Sequence, residues 1–251
     1  MKITVLGASG HFGSNLSEVL EGQGHTVVRA SRSTGVDAVA GTGLREAFAG
    51  ADAVVDALHI NSFSARTSVP FFERAAGNTV GAAREEGVGR IVCLSIAGAA
   101  DPRVNGGFGY YKGKAVQESI YQQSDVPSTT LRSTQWFDFV PSMTSLVVKG
   151  RVGVLPEMLM APALREEVAE YMAELTTARH EAHTDIFCVR GPEAGTIADF
   201  ARRILAAGGD LGGKKPSVIR TAPYLGRGIA NGGLIPQGGH VTPTRFEDWL
   251  R

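Results

Sequence analysis

The stretch "TVLGASGHFGSNL", from Thr4 to Leu16, is the feature that most constrains the fold of this chain. It follows a short apolar run with three glycines spaced by two, and then opens a helix-like segment. At such a turn Gly7 can take a positive φ, Gly10 lets a phosphate approach the backbone, and Gly13 lets the helix pack on the strand. The free N–H groups and positive dipole end of the helix complete an anion site. We therefore predict a cradle for the pyrophosphate of a dinucleotide; the alternative is a purely structural turn.

Apolar runs and helix-like stretches alternate through the first 135 residues. Leu16, Val19 and Leu20 share one face of the first helix, and Gly24 ends it. Such alternation predicts a doubly wound parallel α/β sheet of the Rossmann type, covered on both faces. The runs that we predict to be strands are "KITVLG", "TVVRAS", "ADAVVDAL", "GRIVCLS" and "STTLRS".

The pattern loosens after residue 140. "EEVAEYMAELTTA" predicts a helix, "TDIFCVRGP" a strand, and "TIADFARRILAAGG" a helix that ends at Gly208. A glycine-rich segment, 226–240, precedes a short final helix from Thr244 to Leu250, so we expect the segment to return to the body of the protein. We divide the chain into a cofactor-binding Rossmann domain, 1–140, and a C-terminal α/β region, 141–251, that packs on it as a substrate lid.

The motif "GASGHFG" resembles the glycine motif of short-chain dehydrogenase/reductases, in particular their extended and atypical branches. In NAD-binding proteins of this fold an acidic residue about 20 positions later holds the ribose 2′-hydroxyl. No acidic residue occurs between Glu21 and Asp37, and Arg29 and Arg32 lie there instead. A guanidinium group suits a 2′-phosphate, so we predict NADP(H); the alternative is a pair of solvated arginines.

Tyr110 and Lys114 in "GYYKGKAVQE" fit the Y-x-x-x-K motif of the same superfamily. Residues four apart share one helix face, and a nearby ammonium group lowers the pKa of a phenol. The resemblance implies that Tyr110 transfers a proton and that Lys114 also binds the nicotinamide ribose. The third catalytic residue of the superfamily is a serine at the end of the preceding strand. Ser95 matches the first serine of the usual pair, whereas Ile96 stands at the catalytic position and cannot donate a hydrogen bond.

Most of the chain resembles the NmrA-like, atypical short-chain dehydrogenase/reductases of bacteria. The matching stretches are "GASGHFG", "LSIAGA", "GYYKGKAVQES", "TTLRSTQWFDF" and "TPTRFEDWL". The resemblance is strong to about residue 140 and looser afterwards. Its members include NADP-dependent reductases, quinone reductases, enzymes of natural-product pathways and redox sensors without turnover. The residues expected to contact the cofactor are Gly7, Ser9, Gly10, His11, Phe12, Gly13, Arg29, Arg32, His59 and Lys114.

Residues after other strands complete the candidate site. His59 follows "VVDAL", where its imidazole is expected near the pyrophosphate or the substrate. Gln135, Trp136 and Phe137 follow "STTLRST", and ligands of open sheets bind at the carboxyl ends of strands. We expect these three residues to line the substrate pocket, with packing in the core as an equal alternative. "RHEAHTD" lacks the spacing of a metal motif, and we predict no metal.

Composition excludes several classes of partner. With 25 basic and 25 acidic residues the formal net charge is zero, which does not favour nucleic acid or an anionic membrane. The cysteines, Cys93 and Cys188, lie in apolar strands and are expected to be buried thiols. A strand that begins at Ile3 leaves no room for a leader peptide, so we expect a cytoplasmic protein, as a monomer or homodimer.

These patterns together predict an enzyme that moves a hydride between NADP(H) and a small carbonyl or quinone-like substrate, possibly in a natural-product pathway. A non-catalytic sensor of NADP(H) is the alternative. A nucleotide-sugar epimerase or dehydratase ranks lower, because the sequence contains no evident basic cluster for a second diphosphate.

Overall fold

The computed structural model describes residues 1–106 and 108–251. The strands are β1 (Lys2–Leu6), β2 (Thr26–Ala30), β3 (Ala53–Asp56), β4 (Arg90–Ile96), β5 (Ser128–Ser133), β6 (Val148–Lys149), β7 (Val152–Pro156), β8 (Leu159–Met160), β9 (Thr184–Arg190), β10 (Gly195–Thr196), β11 (Val218–Ala222) and β12 (His240–Val241). The helices are α1 (His11–Gly22), α2 (Leu44–Phe48), α3 (Ala65–Glu85), α4 (Pro102–Asn105), α5 (Gly109–Gln123), α6 (Phe139–Val147), α7 (Arg165–Thr177), α8 (Ile197–Ala206), α9 (Arg227–Ala230) and α10 (Phe246–Trp249), with a 3₁₀ turn at Arg32–Thr34.

Seven strands form one central sheet in the order β2-β1-β3-β4-β5-β9-β12, and every neighbouring pair is parallel. The five predicted strands and the doubly wound parallel sheet are thereby confirmed. The chain runs from β1 outward to β2 and then returns to the other side of β1 as β3. This reversal leaves a crevice at the carboxyl ends of β1 and β3, which is where open α/β sheets bind their ligands.

The two faces of the sheet pack against different helices. Along β4, Val92 and Leu94 belong to the cluster formed with α1 and α7, whereas Ile91 and Cys93 belong to the cluster formed with α2, α3 and α5. Alternate residues of a strand point to opposite faces, so one apolar run supplies both cores. Cys93 is the buried thiol that its surroundings predict, while Cys188 on β9 is half-buried.

Helices α3 and α5 cross at two glycines of α5. A Cβ at Gly109 would lie 2.1 Å from the backbone nitrogen of Ala65, and one at Gly113 would lie 2.6 Å from Cδ2 of Phe72. Only hydrogen at these positions allows the two helices to come so close. The spacing of four places both glycines on one face of α5, and the close crossing fixes the helix that carries Tyr110.

The region after residue 140 contributes to the central sheet as well as forming its own small sheets. Strands β9 and β12 extend the seven-stranded sheet, and α7 packs beside α1. The remaining strands form a three-stranded sheet, β11-β7-β6, and a two-stranded sheet, β10-β8. The division at residue 140 therefore stays a prediction about function, since the sheet itself takes strands from both sides of it.

The glycine-rich segment returns to the body of the protein through close backbone contacts. A Cβ at Gly228 would lie 2.2 Å from the carbonyl oxygen of Arg103, and one at Gly239 would lie 2.4 Å from that of Cys188. Beyond it, α10 places Phe246 in van der Waals contact range of Phe137, with ring centroids 5.2 Å apart. The segment is thus held at both ends.

Candidate active site

The glycine turn between β1 and α1 has the geometry that its spacing predicts. Gly7 has φ +78°, and a Cβ on it would lie 2.9 Å from the carbonyl oxygen of Ala57, directly after β3. A Cβ on Gly13 would lie 2.3 Å from the carbonyl oxygen of Gly7, so the helix packs directly on the turn. Gly10 caps the helix without any side-chain hydrogen bond. Side chains at Gly7 and Gly13 would collide with backbone and force the turn open, so only glycine allows the tight turn that fits a bound pyrophosphate.

The start of α1 presents backbone rather than side chains to a ligand. The N–H groups of the first helical turn have no partner within the helix, and no acidic residue lies in that turn. Ser9 and His11 are exposed beside it, as expected of cofactor contacts. Phe12 is buried and stacks on Trp136, with ring centroids 5.2 Å apart. Because its side chain is buried, Phe12 can make the predicted cofactor contact only through its backbone N–H.

The two arginines after β2 differ in what they bind. Arg29 forms an ion pair with Glu21 of α1, with 2.7 Å between Nη2 and Oε2. Arg32 is exposed at the start of the 3₁₀ turn, and its guanidinium has no partner among the described residues. Of the predicted pair, only Arg32 is therefore available to a 2′-phosphate.

Tyr110 lies against His59, which follows the neighbouring strand. The phenol oxygen is 3.0 Å from Nδ1 of His59, and Nε2 of the same ring is 2.7 Å from Oδ1 of Asn61. Burial raises the pKa of the Tyr110 phenol, and the nearby Tyr111 raises it further. The expected lowering of this pKa by Lys114 is not seen, since burial dominates the shift and Lys114 is not among its causes. Tyr110 is held as a neutral phenol.

Lys114 is buried, and all three of its ammonium hydrogens are directed at protein acceptors. Its Nζ donates to the carbonyl oxygens of Leu94, at 2.8 Å, and Leu58, at 3.3 Å, and to Oε1 of Gln117, at 2.9 Å. Burial lowers the pKa of this ammonium group. No hydrogen of Lys114 remains for the ribose contact that the family motif implies.

The charge of Lys114 faces a buried carboxylate through Gln117. Asp56 at the end of β3 is 0% exposed and accepts hydrogen bonds from Gln117, at 2.6 Å, and from the Tyr121 hydroxyl, at 2.5 Å. A buried charge needs such partners to be tolerated. The network ties α5 to β3 beneath Tyr110. Sequence analysis missed it, although Asp56, the second aspartate of the apolar run "ADAVVDAL", is a signal of a partnered buried charge.

The remaining predicted residues are placed in different ways. Ser95 is buried, and its hydroxyl has no partner among the described residues; the same holds for Oε1 of Gln135. Nε2 of Gln135 donates to the Tyr111 hydroxyl, at 3.2 Å. Phe137 is buried in the aromatic cluster with Phe246, so the core alternative holds for its side chain. Ile96 packs against the same cluster and offers no hydrogen-bond donor.

A cleft of about 690 Å³ opens at the carboxyl ends of β4, β5 and β9. Arg103, Arg132 and Arg227 line it from three separate segments. Arg132 is paired with the buried Glu118, at 2.6 Å, and Arg103 with Asp101, at 2.7 Å. Arg227 is exposed and has no side-chain partner within the described residues. The sequence does not show this group of arginines, because the three are far apart along the chain, and two of them are paired with carboxylates.

No metal site emerges from "RHEAHTD". Nδ1 of His180 is 3.0 Å from Oδ2 of Asp185, and its Nε2 lies 2.7 Å from the carbonyl oxygen of Leu175. Within residues 1–106 and 108–251, no three His, Cys, Asp or Glu side chains are grouped as a metal ion requires. Among the described helices, none combines the length and apolar character needed to cross a bilayer.

The chain belongs to an NAD(P)H-binding family, whose model matches residues 7–179. This match confirms the predicted pyridine-nucleotide cofactor, and it supports the resemblance to atypical short-chain dehydrogenase/reductases at the level of that family. No curated protein sequence matches the chain.

Solved structures share the fold over nearly the whole length. A nucleoside-diphosphate-sugar epimerase from Staphylococcus aureus is 16% identical, with a TM-score of 0.73, and the alignment covers 100% of this chain and 99% of that one. The NADPH complex of an NADPH-dependent quinone oxidoreductase from Escherichia coli is 18% identical, with a TM-score of 0.69 and coverage of 99% and 98%. UDP-glucose 4-epimerase from Thermus thermophilus, with NAD, is 18% identical, with a TM-score of 0.67 and coverage of 95% of each chain. These similarities establish the Rossmann-type fold.

Proposed function

We propose that the protein is an NADP(H)-dependent reductase of the NmrA-like, atypical short-chain dehydrogenase/reductase type, acting on a small carbonyl or quinone-like substrate. The observation that carries this proposal is the Tyr110 phenol, kept protonated by burial and hydrogen-bonded to His59. A neutral phenol at this position is a proton donor for a substrate oxygen. The quinone oxidoreductase with the same fold supports a reductive reaction.

The cofactor would lie across the carboxyl ends of β1 and β3. The N–H groups of the first turn of α1 would bind its pyrophosphate, and Arg32 would bind the 2′-phosphate. When bound, NADPH supplies the hydride. Because Arg32 has no acidic neighbour paired with it in the described chain, its charge is available to distinguish NADPH from NADH.

The substrate would occupy the cleft of about 690 Å³, which begins at Ala97 and Gly98, directly after β4. Its lining contains Arg103, Arg132 and Arg227, and one acidic residue, Asp101. Since Glu118 and Asp101 compensate two of these arginines, Arg227 supplies the unbalanced positive charge. The cleft therefore favours a carbonyl substrate that also bears a carboxylate or phosphate group.

In the proposed reaction the protein positions the substrate oxygen and supplies its proton. With the hydride that bound NADPH would supply to the carbonyl carbon, the C=O π bond would break and Tyr110 would give its phenol proton to the oxygen. Lys114 holds the loop and strand ends around Leu58 and Leu94 in place through its carbonyl contacts. The alternative is a non-catalytic NADP(H) sensor. It is supported by Ile96 at the catalytic serine position and by the hydrogen bonds that direct the whole Lys114 ammonium group at protein acceptors.

The test measures NADPH oxidation with a panel of ketones and quinones, each with and without a carboxylate or phosphate group. Tyr110→Phe should lower turnover at least 100-fold, while Tyr224→Phe, at an exposed tyrosine in the turn after β11, should not change it. A protein that binds NADPH and oxidises it with no member of the panel would be a sensor instead. A cytoplasmic location and a monomeric or homodimeric state stay predictions.

A further inference from the structure

The hydrogen bonds around His59 define which nitrogen of its ring carries the proton. Oδ1 of Asn61 can only accept, and it lies 2.7 Å from Nε2 of His59. Nε2 therefore carries the hydrogen in the neutral ring, and Nδ1 has a free lone pair. The phenol of Tyr110, 3.0 Å from Nδ1, must then donate to it. In this state the proton of Tyr110 points at His59 and away from any substrate.

The ring stays neutral near pH 7. Loss of hydration lowers the pKa of His59, the hydrogen bond to Asn61 opposes this, and the charge of Lys114 lowers it further. The other titratable groups that influence Tyr110 are Tyr111, Cys93 and Asp56. Burial raises the pKa of the Cys93 thiol well above its usual value, so it remains uncharged. His59 is the group beside Tyr110 that can change charge between pH 5 and 8.

Lys114 cannot serve as the proton source in its place. Its three hydrogens are directed at Leu58, Leu94 and Gln117, and its charge is balanced by Asp56 through Gln117. Releasing one of these hydrogens toward Tyr110 would leave a buried carbonyl or amide oxygen without a donor, which costs about 1–3 kcal/mol.

We propose that His59 is the proton relay of Tyr110, with Asn61 as its positioning residue. When His59 takes a proton from water, Nδ1 becomes a donor, the hydrogen bond reverses, and the phenol hydrogen turns toward the substrate. Tyr110 then gives its proton to the substrate oxygen while Nδ1–H protonates the phenolate oxygen. Hydride and proton together reduce the carbonyl, and His59 ends neutral. This relay rests on the proposed reductase function.

The direction of the hydrogen bond is measured without any substrate. The ¹⁵N chemical shifts of His59 at pH 8 should show a protonated Nε2 and a bare Nδ1, and Tyr110→Phe should move the Nδ1 shift only. Asn61→Ala should mix the two tautomers. A protonated Nδ1 at pH 8 in the wild-type protein would overturn the relay.

The relay itself is tested by the pH dependence of reduction. In the wild type kcat/KM should rise as pH falls through the pKa of His59, while the NADPH dissociation constant stays constant. His59→Gln keeps an acceptor but does not titrate, so it should be about 100-fold slower with a flat profile. His59→Ala should recover at least tenfold in added imidazole. The matched control, His25→Gln at a half-buried histidine beside the N-terminal ammonium group, should behave as the wild type.

The outcomes separate the two proposals. If the wild type reduces no substrate of the panel, the reductase function fails and the relay with it. If it reduces a substrate but His59→Gln keeps the wild-type pH profile, or imidazole rescues nothing, the relay alone is wrong.

Discussion

Two parts of this chain are rich in glycine, and they use it in different ways. In the turn 7–13 the glycines pack mainly on one another, since a Cβ on Gly13 would meet the carbonyl oxygen of Gly7 at 2.3 Å. In the segment 226–240 they pack on distant residues, as Gly228 does on Arg103 and Gly239 on Cys188. The first set encloses a ligand site by local geometry. The second set holds residues 226–240 against the body of the protein, where they line one side of the cleft.

The difference shows which glycines have a structural role that can be predicted from the sequence. The turn has regular spacing, because Gly10 and Gly13 pack on Gly7 within the same short stretch of chain, while Gly7 itself packs on Ala57. The segment has no periodic pattern, because its glycines pack closely on separate parts of the fold that are distant in the sequence. We therefore propose that the first region binds the cofactor and that the second helps to enclose the substrate cleft.

The largest effect is expected at the turn. Gly13→Ala places a Cβ against the backbone of Gly7 and should destabilise the fold by about 3 kcal/mol and weaken NADPH binding at least 100-fold. The matched control is Gly22→Ala on the same helix, where nothing lies within 4 Å. That change should stabilise the protein by about 0.5–1 kcal/mol. Urea unfolding and fluorescence titration measure both, and NADPH binding by Gly13→Ala at wild-type affinity would contradict the cradle.

A smaller and different effect is expected in the segment. Gly228→Ala would push α9 away from Arg103 and should cost about 2 kcal/mol, raise the KM of the substrate and leave the NADPH dissociation constant within twofold. Gly238→Ala, with no neighbour within 4 Å, is the control and should be neutral. The comparison of the two regions fails if Gly228→Ala weakens NADPH binding as strongly as Gly13→Ala does.

Each of the two proposed binding sites also has one arginine without an internal partner among the described residues: Arg32 for the cofactor and Arg227 for the substrate. Arg32→Ala should weaken NADPH binding about tenfold, about 1.4 kcal/mol, and spare NADH. Arg227→Ala should raise the KM of an anionic substrate and leave both cofactors unchanged. Arg29→Ala is the control for charge, because its guanidinium is occupied by Glu21. Equal loss of NADH and NADPH in Arg32→Ala would reject the assignment of the 2′-phosphate.

The smallest expected effect is the contribution of His59 to the pH dependence of the free energy of unfolding. The folded-state pKa of His59 lies below that of the unfolded chain, so the unfolded chain binds more protons near pH 6. This stabilising contribution is present above about pH 6.5 and is lost as pH falls. Urea midpoints at pH 7.5 and pH 5.5 should therefore differ more in the wild type than in His59→Gln. An identical difference in both proteins would show that the ring is fully hydrated.

The sheet and the turn follow from the sequence because their signals are local. Apolar runs of period two and glycines at fixed spacing need no knowledge of distant contacts, and the five predicted strands are all present. Strand β12 has two residues and no apolar signal of its own, since its position depends on pairing with β9. That pairing is a tertiary contact that no window of the sequence contains.

The residues of the candidate site can be predicted from the sequence, but their hydrogen-bond partners cannot. Tyr110 and Lys114 share a helix as their spacing predicts, yet the ammonium group is directed at Gln117 and backbone carbonyls. Which acceptor a buried lysine finds depends on how α5 lies over β3 and β4, and the crossing at Gly109 sets this. The same reason hides the arginine cleft, which joins α4, β5 and α9.

The order of strands in the central sheet also has a consequence for biosynthesis. Strand β5 receives its outer neighbour only when residues 184–190 have left the ribosome, and β12 follows some fifty residues later. Until then the nascent chain carries an open, parallel edge of the kind that invites unwanted pairing. Synthesis of the last third of the protein is thus a period of exposure, in which a chaperone or fast translation would have its greatest influence on yield.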